Sequence, residues 1–127
     1  GARFAAFFDI DRQAAGLVRK NLESMGCACA RYRVTSGDVL AMSNRGRLFG
    51  APFNLVILDP PYDFDPADVS AFVERLAASG SLTDDALVLY EHASAKPGLD
   101  PLDFIEERDK RYGSTSVQLL RRSAKGE

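Results

Sequence analysis

An open α/β sheet, mostly parallel and closed by an antiparallel hairpin, is the architecture that three features of the sequence predict. Strand-like and helix-like patterns alternate from residue 2 to residue 92, the order that builds a sheet with helices packed on it. The run FNLVIL (53–58) is apolar nearly throughout, as a strand is when helices cover both faces of its sheet. Two further strand-like runs meet at Gly113, where the chain can reverse tightly.

The first strand is predicted over 2–10 (ARFAAFFDI) and a helix over 11–26 (DRQAAGLVRKNLESMG). Ala14, Val18, Leu22 and Met25 recur at helical spacing, Asp11 can cap the start, and Gly26 stops the end. A second strand is expected over 29–38 (CARYRVTSGD), then a short helix and loop over 39–50. After FNLVIL, Asp65-Pro66 opens the next helix in a favoured way. The aspartate accepts from a free amide, and proline lacks the amide that would otherwise go unpaired. Val69, Phe72, Val73 and Leu76 form that helix's apolar stripe, and Gly80 ends it. A fourth strand is read over 86–92 (ALVLYEH), and the closing hairpin over 102–112 (LDFIEERDKRY) and 114–122 (STSVQLLRR). No internal repeat or low-complexity segment interrupts this order.

With 127 residues, 46% of them hydrophobic, the chain is one domain or part of one and can build a real core. It has no apolar run of bilayer length and no signal-peptide pattern, so a cytoplasmic location and no membrane partner are expected. Two cysteines, Cys27 and Cys29, and one histidine argue against both a metal site and a disulfide framework. The net charge of −2 conceals segregation. Residues 1–58 carry eight Lys/Arg and four Asp/Glu, residues 59–107 two and twelve, and residues 108–127 six and two. A polyanion would therefore meet a local patch, unless these charges simply solvate the surface.

Open parallel sheets bind ligands beyond the carboxyl ends of their strands. Asp9, Asp38 and Asp59 fall at or just past predicted strand ends. Such acids suit hydroxyl or amine donors, which a nucleoside supplies. The sequence after Leu58, Asp59-Pro60-Pro61-Tyr62, is stiffer, more acidic and more aromatic than a turn requires. An ordinary strand-to-helix turn is its plainer reading.

In order along nearly the whole chain, these motifs resemble those of the RsmD family of class I S-adenosylmethionine-dependent methyltransferases. FFDIDRQAAGLVRKNLESMG is similar to that family's second strand and helix, SGDVLA to its third-strand motif, NLVILDPPY to its catalytic motif, and RYGSTSVQLL to its terminal hairpin. The resemblance implies a Rossmann-like sheet and methyl transfer to the exocyclic N2 of a guanine in small-subunit (16S) ribosomal RNA. In the family a first strand and a glycine-rich motif I loop precede this region, and no G-x-G occurs here. The chain thus resembles a fragment, the C-terminal portion of a single domain, expected to be inactive alone and to bind cofactor weakly. Sheet edges left without a strand would favour self-association.

The resemblance also implies roles. S-adenosylmethionine, leaving as S-adenosylhomocysteine, would be held by Asp9 at its ribose hydroxyls, by Asp38 at its adenine amine, and by Ile10, Val39 and Asp59 nearby. Asp9 and Asp38 could instead cap the helices that follow them, and Asp11 competes for the first of those places. The Asp59 carboxylate and the Pro60 carbonyl would accept from the target amine, with Pro61 stiffening the clamp and Tyr62 stacking on the base. The base must be flipped out or single-stranded to be reached. Arg108, Lys110, Arg111, Arg121 and Arg122 are candidate contacts to phosphates of ribosomal RNA or an assembling small subunit. His92 is read as structural, and Phe64 as a core residue that could also flank the pocket. A DNA adenine-N6 methyltransferase shares the DPPY logic, and a non-catalytic nucleotide-binding or assembly module is the reading from another class.

Overall fold

The computed structural model describes residues 5–9, 12–26, 32–36, 46–47, 50–59 and 65–123. The chain divides into two compact units, Gly1–Ala51 and Pro52–Glu127.

In the first unit, strand β1 (Ala5–Asp9) and strand β2 (Tyr32–Ser36) pair in parallel, with Ala5 opposite Tyr32 and Asp9 opposite Ser36. Helix α1 (Arg12–Ser24) joins them and packs against both. A parallel pair needs such a crossover, because a tight turn cannot return the chain to the same end. The helix ends as predicted at Gly26, whose φ of 75° suits a residue without a Cβ and whose amide bonds the Glu23 carbonyl at 3.0 Å. The predicted stripe needs correction. Met25 lies past the last helical turn and is 73% exposed, whereas Ala15 is buried. The expected short helix and loop over 39–50 falls mostly outside the described residues, as do Cys27 and Cys29.

The second unit is a four-stranded sheet in the order β3-β4-β6-β5. Strand β3 (Phe53–Leu58) runs parallel to β4 (Leu82–Ala93), while β5 (Phe104–Tyr112) and β6 (Thr115–Arg122) form the antiparallel closing hairpin. Gly113 opens its two-residue turn at φ 65°. Within this sheet the β3–β4 pairing is parallel and the β4–β6 and β6–β5 pairings are antiparallel.

Helix α2 (Pro66–Ala78) connects β3 to β4 and follows the sequence expectation closely. The Asp65 carboxylate accepts from the Ala67 amide at 2.9 Å, and Pro66 occupies the first helical position. At the other end the Ser81 amide reaches the Leu76 carbonyl and the Gly80 amide the Ala77 carbonyl, a paired arrangement that satisfies two free helix carbonyls. Val69, Phe72, Val73 and Leu76 are all at most 2% exposed. Val69 and Val73 pack with Val88, Tyr90, Leu99 and Leu120, while Val56, Leu58 and Phe104 close the cluster's rim. Each such side chain contributes roughly 1.5–3 kcal/mol by leaving water.

Among the described residues, one face of strand β3 stays open. Its alternate residues Leu55 and Ile57 are 50% and 68% exposed. Strand β4 starts four residues earlier than the sequence suggests, because Leu82 pairs with Phe53 across an irregularity in the ladder. Asp84 and Asp85, poor strand formers, hide that extension from a local reading.

Candidate functional site

In the first unit, Asp9 is the last residue of β1 and sits level with Ser36, the last residue of β2. Two parallel strands ending together present an acid at the carboxyl edge, where such sheets take ligands. Ile10, Asp38 and Val39 lie outside the described residues.

In the second unit, Asp59 directly follows β3 and is exposed. The register places it at the carboxyl edge that β3 shares with β4, one step past the Leu58–Tyr90 pair. By strand alternation its side chain belongs to the face of Leu55 and Ile57. Pro60, Pro61, Tyr62 and Phe64 lie outside the described residues, and Asp65 resumes the chain at the start of α2. A groove of about 420 Å³ opens beyond that start, lined in part by Asp65, Glu74, Pro97, Gly98 and Asp100. Its three carboxylates make it a poor place for phosphate.

The groove's far wall is the segment between β4 and β5, and side chains rather than secondary structure hold it in place. The Asp100 amide donates to Ser70 Oγ at 3.1 Å, and the Leu102 amide to Glu74 Oε2 at 2.8 Å. Gln118, 2% exposed, accepts from the Leu99 amide at 2.7 Å and donates to the Leu99 carbonyl at 2.9 Å. A Cβ at Gly98 would stand 2.7 Å from the Gln118 amide carbon, so a larger residue there would displace that side chain.

His92, which the sequence suggests is structural, is buried. Its ring stacks on Tyr90 with centroids 5.3 Å apart, Nδ1 faces the Ala93 carbonyl at 3.0 Å, and Nε2 faces Asp109 at 3.3 Å. Burial pushes the Tyr90 phenol up from its usual value.

The five cations proposed for phosphate contact do not form one group. Arg121 Nε donates to Glu107 at 2.6 Å, Arg122 Nη1 donates to the carbonyls of Leu82 and Thr83, and Arg111 Nε donates to the Gly113 carbonyl at 2.8 Å. Arg108 and Lys110 are exposed on one face of β5, opposite Leu119 and Val117. Lys110 Nζ lies 5.2 Å from the ring centroid of Tyr112, which continues the same face. Tyr112 is not among the sequence candidates, although the alternation R-x-K-x-Y carries its signal.

Parallel strands that end in acids, a crossover helix in each unit and a terminal antiparallel hairpin define a Rossmann-like methyltransferase fold. A candidate methylase of Haemophilus influenzae matches it with a TM-score of 0.81 over 96% of this chain and 74% of its own, at 24% identity. A candidate methyltransferase in complex with SAH gives 0.75 over 95% of this chain and 40% of its own, at 12% identity. The model of the family described as conserved hypothetical protein 95 matches residues 1–121, and the chain belongs to that family, the RsmD family of its motifs. The ribosomal RNA small subunit methyltransferase D of Haemophilus influenzae is 26% identical over 119 residues. That alignment takes in 93% of this chain, which spans 60% of the relative's length.

Proposed function

We propose that residues 1–127 belong to one methyltransferase domain that methylates the exocyclic N2 of a guanine in small-subunit ribosomal RNA. The observation that carries this reading is the position of Asp59, an exposed acid at the carboxyl edge of the parallel β3–β4 pair. Family membership and the small-subunit RNA methyltransferase among its relatives support it.

When bound, S-adenosylmethionine supplies an electrophilic methyl group on a sulfonium. The donor set suits that cofactor: Asp9, at the edge shared by β1 and β2, would accept from ribose hydroxyls and Asp38 from the adenine amine, with Ile10 and Val39 as their apolar neighbours in sequence. An aromatic exocyclic amine is a weak nucleophile because its lone pair is shared with the ring. Asp59 and the Pro60 carbonyl would accept hydrogen bonds from its two N–H groups, which localises the lone pair toward the methyl. The proton the amine sheds on methylation would pass to the Asp59 carboxylate or to water. Pro61 limits the backbone motion of that clamp and Tyr62 stacks on the base. Orientation and fixed acceptors thereby lower the barrier, without a proton shuttle through His92.

The partner is ribosomal RNA, free or within an assembling small subunit, and the setting is the cytoplasm. Among the described residues β3 pairs on one side only, which offers an edge for self-association.

Labelled methyl transfer tests the reading, run on this chain and on a form extended to the relative's span. Label recovered as N2-methylguanine supports it, and label in N6-methyladenine moves the assignment to the other DPPY chemistry. Asp59→Ala is expected to lower turnover at least a hundred-fold, the scale of losing a preorganised transition-state contact. Turnover equal to the unaltered protein would refute the assigned role.

A further inference from the structure

We infer that Arg108, Lys110 and Tyr112 form a docking track for single-stranded RNA on the outer strand of the hairpin. The inference rests on the proposed function and names the surface that delivers the substrate to Asp59.

Three observations carry it. Strand β5 holds three acids among its cations, and each acid is already engaged. Glu106 accepts from Gln118 Nε2 at 2.8 Å, Glu107 from Arg121 Nε at 2.6 Å, and Asp109 faces His92 Nε2 at 3.3 Å. Arg108 and Lys110 have no such carboxylate partner among the described residues. A segment neutral by composition thus presents positive charge outward.

Second, the spacing fits a repeating polyanion with bases. Residues 108, 110 and 112 share one face, and alternate residues of a strand lie about 6.8 Å apart. Lys110 covers one side of the Tyr112 ring, and that ring is 58% exposed. An exposed ring beside cations offers a base-stacking platform with phosphate contacts next to it. An acidic peptide would use the charges and leave the ring without a purpose.

Third, the register leads this track to the reaction edge. Strand β5 runs in the same direction as β3, because it is antiparallel to β6, β6 is antiparallel to β4, and β4 is parallel to β3. Lys110 pairs with Val117 and Val117 with Glu91, which lies in the row of Asp59. Three strand spacings separate Lys110 from Asp59, roughly 14 Å, on the same sheet face. Tyr112 ends the track at that carboxyl edge. Arg111, Arg121 and Arg122 fall out of the track, held by the carbonyls and the carboxylate described above.

The test is fluorescence anisotropy of a short labelled single-stranded RNA across a salt series, using the 127-residue chain. Replacing both cations, R108A/K110A, is expected to lower the slope of log affinity against log salt by about 1.4, the loss of two single-strand phosphate contacts. Tyr112→Ala is expected to weaken binding about five- to a hundred-fold, and Tyr112→Phe to retain it, since only the ring is required. An unchanged slope in the double variant, equal losses for Tyr112→Ala and Tyr112→Phe, or displacement of RNA by polyglutamate at equal charge would each overturn the track. All three positions are exposed, so the variants should keep the parent's melting temperature. The track is read in binding and the role of Asp59 in methyl transfer, so either can fail while the other stands.

Discussion

The two faces of the four-stranded sheet are built by different rules. The face under α2 combines Val56, Leu58, Val88, Tyr90 and Leu120 with buried polar groups, His92, Ser116 and Gln118. Every one of those polar groups is bonded: His92 to Asp109, Ser116 to Ser94, and Gln118 to Leu99 and Glu106. The opposite face shows Leu55, Ile57, Ile105 and Tyr112 at 41–68% exposure, with Arg108 and Lys110 beside them. Apolar residues alone therefore do not make a core. Burial follows where a partner element lands, and the buried face alone has to satisfy each polar group it encloses.

The contrast can be broken most severely at Leu120, which is 1% exposed. Leu120→Ala should lower unfolding free energy by about 2–5 kcal/mol in denaturant titration, from lost transfer energy and the cavity left behind. A smaller, polar break is expected at Gln118. Truncation to alanine strands the amide and carbonyl of buried Leu99, which should cost about 2–4 kcal/mol. Faster hydrogen exchange confined to residues 94–103 would identify the loosened segment. The smallest effect belongs to the open face, where Ile57→Ser should change stability by no more than about 0.5 kcal/mol. A loss at Ile57 as large as that at Leu120 would mean that this face is covered in solution, and the comparison would fail.

Much of the second unit was legible locally. Asp65-Pro66 marked a helix start, Gly80 its end, and Val69, Phe72, Val73 and Leu76 its buried stripe, because capping chemistry and a 3.6-residue period act over a few residues. The turn at Gly113 was legible for the same reason. Asp59 could be placed past a strand end, since an apolar run stopped by Asp-Pro-Pro has few other readings. The local signal for strand β4 is shorter than the strand, because residues 82–85 owe their conformation to the pairing at Phe53 and not to their own propensity. The five candidate phosphate contacts have only their charge and their place in the hairpin in common, and neither says which cations are engaged.

By itself the sequence determined the helices at 12–24 and 66–78, the turn at Gly113, the strand that Asp59 follows and the family. Each of these is written in neighbouring residues, through caps, periodicity and backbone restriction. Only the tertiary structure decided which face of β3 stays exposed, that Gln118 holds a segment nineteen residues away, and that, among the described residues, Arg121 has a carboxylate partner while Arg108 has none. These outcomes depend on strand register, and a shift of one residue would exchange every inward and outward side chain along the strand.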